Sequence, residues 1–322
     1  MSQPATRPIR RVAVIGAGTI GASWAACFLA HGLEVVAYDP SPGAPDLMRR
    51  MVAQAWPVLE RLGAVTAGAD PARWRFEADP ARAAEGADFV QESAPERYEA
   101  KQPLLQKVAA VLPEDVVIAS STSGLLASRL AEGCAHPERV LIGHPFNPPH
   151  LIPLVEVVAP HASRAAIEAA MAFYRSVGKR PIEIRKEVPG HVANRLQAAM
   201  WREAVHLVAE GVASVADVDA AVSEGPGLRW ALMGPSLTFH LAGGEGGMAH
   251  FLHHLLPAMQ SWWDTLGRPE VTPDLQRRLV EGVTEEAAGR SIADLARWRD
   301  EALVRLLAAR GGAEPKEPSR GA

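Results

Sequence analysis

The stretch Arg11-Val-Ala-Val-Ile-Gly-Ala-Gly-Thr-Ile-Gly21 decides how the rest of the chain is read. Its first six residues are short, apolar and largely β-branched and stop at glycine, the pattern of a buried parallel strand. From Thr19 to His31 the apolar spacing becomes helical, and Gly32 closes it. Leu33 to Tyr38 forms a second strand, ending at Asp39 and the turn residues Pro40 to Gly43. The whole is a βαβ unit. In the hexapeptide at its first turn, Gly16 permits the tight turn, Gly18 lets backbone approach a pyrophosphate, and Gly21 lets helix pack on strand. Thr19 and Ile20 open the helix, whose unpaired N–H groups favour an anion. Asp39 stands where an acid hydrogen-bonds a ribose 2′-hydroxyl and repels a 2′-phosphate, so NAD is the expected cofactor and NADP is not.

Further strands are expected at Asp88–Glu92, Val116–Ser120 and Val140–Gly143, with Ile182–Ile184 as a last edge strand. Helical stretches at 46–62 and 96–111 separate them. This alternation implies an α/β fold, a Rossmann-type doubly wound parallel sheet. After Pro189-Gly190 the pattern changes to long helices from Val192 onward, with no strand up to Arg310. The expected organisation is an NAD-binding domain at 1–188, a helical substrate and dimerisation domain at 189–310, and a disordered tail at 311–322, rich in Gly, Pro and charge.

Composition narrows the function classes. The 322 residues are 48% hydrophobic and 22% charged, which describes an ordinary globular protein of about two domains. A formal net charge of −4 without a basic run argues against nucleic acid as a partner. Only Cys27 and Cys134 are present, far apart, so neither a disulfide framework nor a metal site is signalled, and a reducing cytoplasm is expected. No apolar run is long enough to span a bilayer, so no membrane association is expected.

Oxidising an alcohol by hydride removal also requires a base for the hydroxyl proton, with a pKa near neutrality. His144 ends the strand Val140–Gly143 and starts His-Pro-Phe-Asn-Pro, at the carboxyl edge of the sheet where ligands bind in such folds. Glu156 is a lone acid in the apolar run Leu154-Val-Glu-Val-Val158. Such a carboxylate needs a partner, either the His144 imidazole or a solvent-facing arginine. Ser123, in Ser120-Ser-Thr-Ser123, offers a hydroxyl to a substrate oxygen or caps a helix. Asn194, at the start of the long helix, either reaches the cleft or is a structural amide.

Together these segments resemble the 3-hydroxyacyl-CoA dehydrogenase family. The likeness rests on Gly16–Gly21, Gln91-Glu-Ser-Ala-Pro-Glu96, Ser120–Gly124, His144–Pro148, Leu154–Val157 and Gly190-His-Val-Ala-Asn-Arg-Leu196, and runs over nearly the whole chain. The resemblance implies that His144 is the general base, Glu156 its carboxylate partner, and Ser123 and Asn194 the contacts to the reacting oxygen and ring. It also implies that Glu96 and Lys101 lie near the nicotinamide ribose and that the protein is a homodimer.

Within that family the chain departs from the fatty-acid enzymes. They carry a Gly-Pro-Phe-Glu segment where this chain reads Gly227-Leu-Arg-Trp-Ala-Leu-Met-Gly-Pro-Ser236. The stretches Trp201–Ala204, Arg229–Ala231, Leu241–Met248 and Ala288–Leu295 are similar to the branch that oxidises L-carnitine to 3-dehydrocarnitine, with the L-gulonate branch of lambda-crystallin type the nearest competitor. A short-chain hydroxyacyl-CoA enzyme and a non-catalytic, crystallin-like NAD-binding protein also compete, at a greater distance. Aromatic faces hold quaternary ammonium groups through the ring quadrupole. Five of the eight tryptophans, Trp201, Trp230, Trp262, Trp263 and Trp298, fall in the helical part. Trp230 and Phe251 are therefore candidates for a cation cage and Arg229 for a carboxylate partner, although tryptophans at helical spacing also fill cores and dimer interfaces.

Overall fold

A computed structural model describes residues 8–311. Apart from Gly311, which ends the last helix, the expected tail lies outside the described residues. Eight strands form one sheet in the order β3-β2-β1-β4-β5-β6-β7-β8. They are β1 (Arg11–Ile15), β2 (Glu34–Tyr38), β3 (Trp74–Phe76), β4 (Phe89–Glu92), β5 (Val117–Ser120), β6 (Val140–Pro145), β7 (Leu154–Val158) and β8 (Arg180–Ile184). Every neighbouring pair is parallel except β6 and β7.

The sheet is covered on both faces, as its apolar strands require. In β1, Val12 and Val14 enter one core with α1 (Thr19–Ala30), α2 (Ala44–Arg61) and α6 (Arg164–Ser176). Ala13 and Ile15 enter the other, with α3 (Pro80–Ala84), α4 (Tyr98–Ala109) and α5 (Ala127–Leu130). Helix α1 is buried from Gly21 to Ala30, which explains its run of small and apolar residues with no polar face. Trp24, wholly buried, stacks on Phe28 at 5.2 Å and meets Tyr174 of α6 at 5.7 Å.

The doubly wound sheet matches the sequence reading, with two differences. Strand β3 has three residues on the sheet's edge, too short to leave a periodic signal. Strand β7 runs antiparallel to β6 because only residues 146–153 connect them. A parallel return needs a crossover of about a dozen residues or more.

The polypeptide separates into two compact units. One runs to Arg195 and takes in Leu303–Ala308; the other comprises Leu196–Ala302 and residues 309–311. Helix α7 (Ala193–Ala209) begins in the first and continues into the second. The second unit is helical throughout its described residues, with α8 (Val215–Ser223), α9 (Pro226–Trp230), α10 (Pro235–Ala242), α11 (Gly247–His254), α12 (Leu256–Trp263), α13 (Pro273–Ala287) and most of α14 (Ile292–Gly311). A small core of Val205, Val208, Val215, Val218 and Leu275 joins α7, α8 and α13.

Backbone contacts set the shape of the fingerprint turn at its glycines. Gly16 N–H donates to the Tyr38 carbonyl at 2.7 Å, and Gly16 adopts a φ of 100°. A Cβ on Gly21 would stand 1.8 Å from the Gly16 carbonyl oxygen. Gly21→Ala should therefore lower stability by about 1–3 kcal/mol through overpacking of backbone on backbone. A urea unfolding midpoint equal to the parent's would contradict that reading of the turn.

Candidate active site

The strands β1, β4, β5 and β6 all end at one edge of the sheet, so Gly16, Ser93, Ser121 and His144 arrive together without any long-range design in the loops. At β6 the hairpin register sets His144 directly opposite Glu156. The two side chains meet: His144 Nδ1 lies 2.8 Å from Glu156 Oε2, with the histidine 4% and the glutamate 0% exposed. A carboxylate only accepts, so Nδ1 carries the proton and Nε2 is left with its lone pair. That is the tautomer a general base needs.

The other oxygen of Glu156 has a second task. Oε1 accepts from the backbone N–H of Val192 and of Ala193, each at 2.9 Å, at the start of α7. One buried carboxylate thus orients the imidazole and satisfies two amides that a helix leaves unpaired. Burial opposes its charge, but the His144 bond and the two amides together outweigh burial and hold the Glu156 carboxyl below its ordinary range. Asn194 is the second residue of that helix and is partly exposed.

The serine-rich turn after β5 is held from β4's side. Glu96 Oε1 accepts from Thr122 Oγ1, from Ser123 N at 2.8 Å and from Gly124 N at 2.9 Å. Glu96 therefore fixes the loop carrying Ser123. Lys101 is 1% exposed, and its Nζ donates to Glu92 Oε1 and to the Ala94 carbonyl, both at 2.8 Å, while lying 3.9 Å from Glu96 Oε2. Glu92 also accepts from Ser120 Oγ. Asp39 closes the other side: Oδ2 accepts from Ala17 N at 2.9 Å and Oδ1 from Ser41 N at 2.8 Å.

Room for a dinucleotide is visible at the turn. A Cβ added to Gly18 would meet nothing within 4 Å, and Gly18 N-caps α1 with no side chain occupying the helix start. Gly18, Thr19 and Ile20 then offer amides to a pyrophosphate. The residues present fit NAD.

Of the other predicted residues, Arg229 and Trp230 end α9 on the surface of the second unit, Trp230 being 41% exposed. Phe251 is different: it is buried and stacks on Phe239 at 4.7 Å, so its ring serves packing within that unit. No group of three or more metal-ligating side chains occurs among the described residues.

Two participants escaped the sequence reading. His191, wholly buried with φ of 51°, donates Nε2–H to the Thr122 carbonyl at 3.0 Å and lies 5.2 Å, ring to ring, from His144. Burial, reinforced by the neighbouring His144, pushes its pKa down despite that bond, so it stays neutral beside the base. Glu92 was visible as an acid ending an apolar strand, a signal related to the lone acid within an apolar run that singled out Glu156.

Comparison with known proteins agrees with this geometry. Residues 11–188 match the family model of the 3-hydroxyacyl-CoA dehydrogenase NAD binding domain, and residues 190–293 that of the C-terminal domain. The chain is 52% identical to an L-carnitine dehydrogenase of Streptomyces coelicolor over 97% of this chain and 98% of the relative. It is 50% identical to an L-carnitine dehydrogenase of Pseudomonas aeruginosa, over 94% of each. Among solved structures, an NAD+-dependent 5-formyl-3-hydroxy-2-methylpyridine 4-carboxylic acid 5-dehydrogenase superposes with a TM-score of 0.82 at 31% identity, over 95% of this chain and all of that one. An (S)-3-hydroxybutyryl-CoA dehydrogenase from Ralstonia eutropha gives 0.64 at 28%, over 85% and 95%.

Glu156→Gln separates the two tasks of the carboxylate. The amide oxygen can still accept from α7, but its NH2 then faces His144 and forces the proton onto Nε2. Turnover should fall by about two orders of magnitude or more with the fold intact, whereas Glu156→Ala loses stability as well. Because Glu156 is held below its ordinary value of 4.5, its contribution to stability is full above that pH and is lost as pH falls toward the depressed value. Acid unfolding should accordingly be steeper in the parent than in Glu156→Gln; identical pH profiles would refute the coupling.

Proposed function

Since the chain belongs to the 3-hydroxyacyl-CoA dehydrogenase family and is an NAD-dependent oxidoreductase, we propose that it oxidises L-carnitine at its 3-hydroxyl to 3-dehydrocarnitine. The observation that carries the substrate is the identity of about half, over nearly the full length, to several L-carnitine dehydrogenases. The chemistry is supported by the buried His144–Glu156 pair.

In this reading NAD, when bound, accepts the hydride. His144 Nε2 takes the hydroxyl proton, and Glu156 stabilises the imidazolium that results. Ser123 and Asn194 contact the reacting oxygen and the nicotinamide ring. Asp39 selects the adenine ribose, and Glu96 and Lys101 stand on the nicotinamide side, Glu96 through the serine turn that it fixes. Asp39's grip on Ala17 ties the ribose acid to the pyrophosphate turn, so both cofactor contacts are set by one side chain.

L-Carnitine carries a quaternary ammonium, which has no N–H to donate, and a carboxylate. An aromatic face and a guanidinium suit these ends. Trp230 and Arg229 are the exposed candidates, and Phe251 contributes through the packing of the helices. The second unit also exposes Trp201, Val212, Trp262 and Trp298, each by 60% or more. Exposed apolar side chains of this kind support a homodimer in which a partner subunit covers them. Both cysteines are free and buried, consistent with the cytoplasm, and no helix among the described residues is long and apolar enough to cross a membrane.

NADH formation with L-carnitine, L-gulonate, 3-hydroxybutyrate and 3-hydroxybutyryl-CoA tests the substrate. L-Carnitine should be turned over selectively; preference for another member of the panel would replace it. His144→Ala should reduce turnover by about two to four orders of magnitude while NAD binds as before. Trp230→Ala should raise KM for L-carnitine, and an unchanged KM would remove that residue from the pocket. Light scattering should give twice the chain mass.

A further inference from the structure

The carboxyl ends of β4 and β5 carry a second polar constellation, which the mechanism above does not use. On the sheet face covered by α6, Tyr174 is wholly buried, and its hydroxyl donates to Gln91 Oε1 at 2.7 Å. Gln91, equally buried, donates from Nε2 to Ser121 Oγ at 2.9 Å and to the Gly143 carbonyl at 3.3 Å. A carbonyl only accepts, so that end of the amide is its N–H end. The order is thereby fixed: Tyr174 gives to Gln91, and Gln91 gives to Ser121.

Ser121 Oγ lies 2.8 Å from Ser93 Oγ. The two hydroxyls own two protons and share one hydrogen bond, while Ser121 is already an acceptor of Gln91. Whichever serine donates to the other, one O–H is left with no partner inside the network. Both serines are partly exposed and are the first residues past their strands. They adjoin the fingerprint turn, since a Cβ on Gly16 would stand 2.6 Å from the Ser93 carbonyl carbon. The strand carrying the base is shaped by the same network: a Cβ on Gly143 would stand 1.9 Å from the Tyr174 hydroxyl. Burying a phenol and an amide this deeply is unfavourable unless their hydrogen bonds are met. Here they are met by a chain that ends in a spare donor at the cofactor edge.

We propose that Ser93 and Ser121 form a cofactor-binding pair donating to an oxygen of bound NAD, and that Gln91 and Tyr174 are positioning residues that keep this donor pointed outward. The oxygen belongs either to the ADP-ribose portion or to the nicotinamide carboxamide, and the ligands chosen separate the two. The proposal rests on NAD as the cofactor and is independent of the substrate.

Calorimetric titration of NAD and of ADP-ribose into the full-length protein tests it. In the Ser93→Ala/Ser121→Ala double variant, the Kd for NAD should rise about three- to tenfold, the loss of one hydrogen bond. A matching loss for ADP-ribose places the oxygen on that portion, and a loss confined to NAD places it on the nicotinamide carboxamide. An NAD Kd equal to the parent's overturns the site. Tyr174→Phe should raise KM for NAD with little change in kcat, and should have no further effect once both serines are alanine. An equal effect in both backgrounds shows that Tyr174 serves packing alone and overturns its positioning role; the serine variant decides the site even if Tyr174→Phe folds poorly.

Discussion

Glu156 is the point on which the first unit turns. Its charge is buried among apolar strand residues, a placement that is unfavourable without partners, and it has three: an imidazole on one oxygen and two helix-start amides on the other. Neither job is separable from the other. Helix α7 begins where it does because the carboxylate completes its first turn, and Asn194 takes its place as a consequence of the interaction that sets the tautomer of His144. Left-handed backbone at Gly190 and His191 leads into that turn, and strain of this kind persists where surrounding contacts determine it. The Thr122 carbonyl, bonded to His191, is one such contact.

A similar economy operates across the sheet edge. Glu96 holds three donors of the serine turn, and Glu92 holds Lys101, Ser120 and the Ala94 amide. The loops at this edge are thus fixed by carboxylates that accept and never donate. Every such oxygen dictates the direction of its neighbours' protons, which lets tautomers and amide orientations be assigned from chemistry.

Much of this was legible in the chain itself. The fingerprint, Asp39 and the alternation of apolar runs with helical stretches fix a doubly wound sheet, because each strand buried on both faces leaves a short apolar block bounded by glycine or polar residues. The 3-hydroxyacyl-CoA dehydrogenase likeness supplied roles for His144 and Glu156, and their hairpin contact has the geometry those roles need. What the sequence concealed had physical causes. Twelve residues of separation does not announce a cross-strand pair until the connection's length forces β7 to turn back. Strand β3 is too short for periodicity, and Phe251 shows no outward sign that Phe239 already claims its face. His191 and Tyr174 make their contacts with residues far away in sequence, which no local pattern reveals.

The hairpin between β6 and β7 has one more consequence. Side chains alternate faces along a strand, so a one-residue slip of β7 against β6 would turn Glu156 away from His144. The parallel pairing of β7 with β8 opposes such a slip from the other side, so the His144–Glu156 contact is guarded by both neighbours of β7 at once.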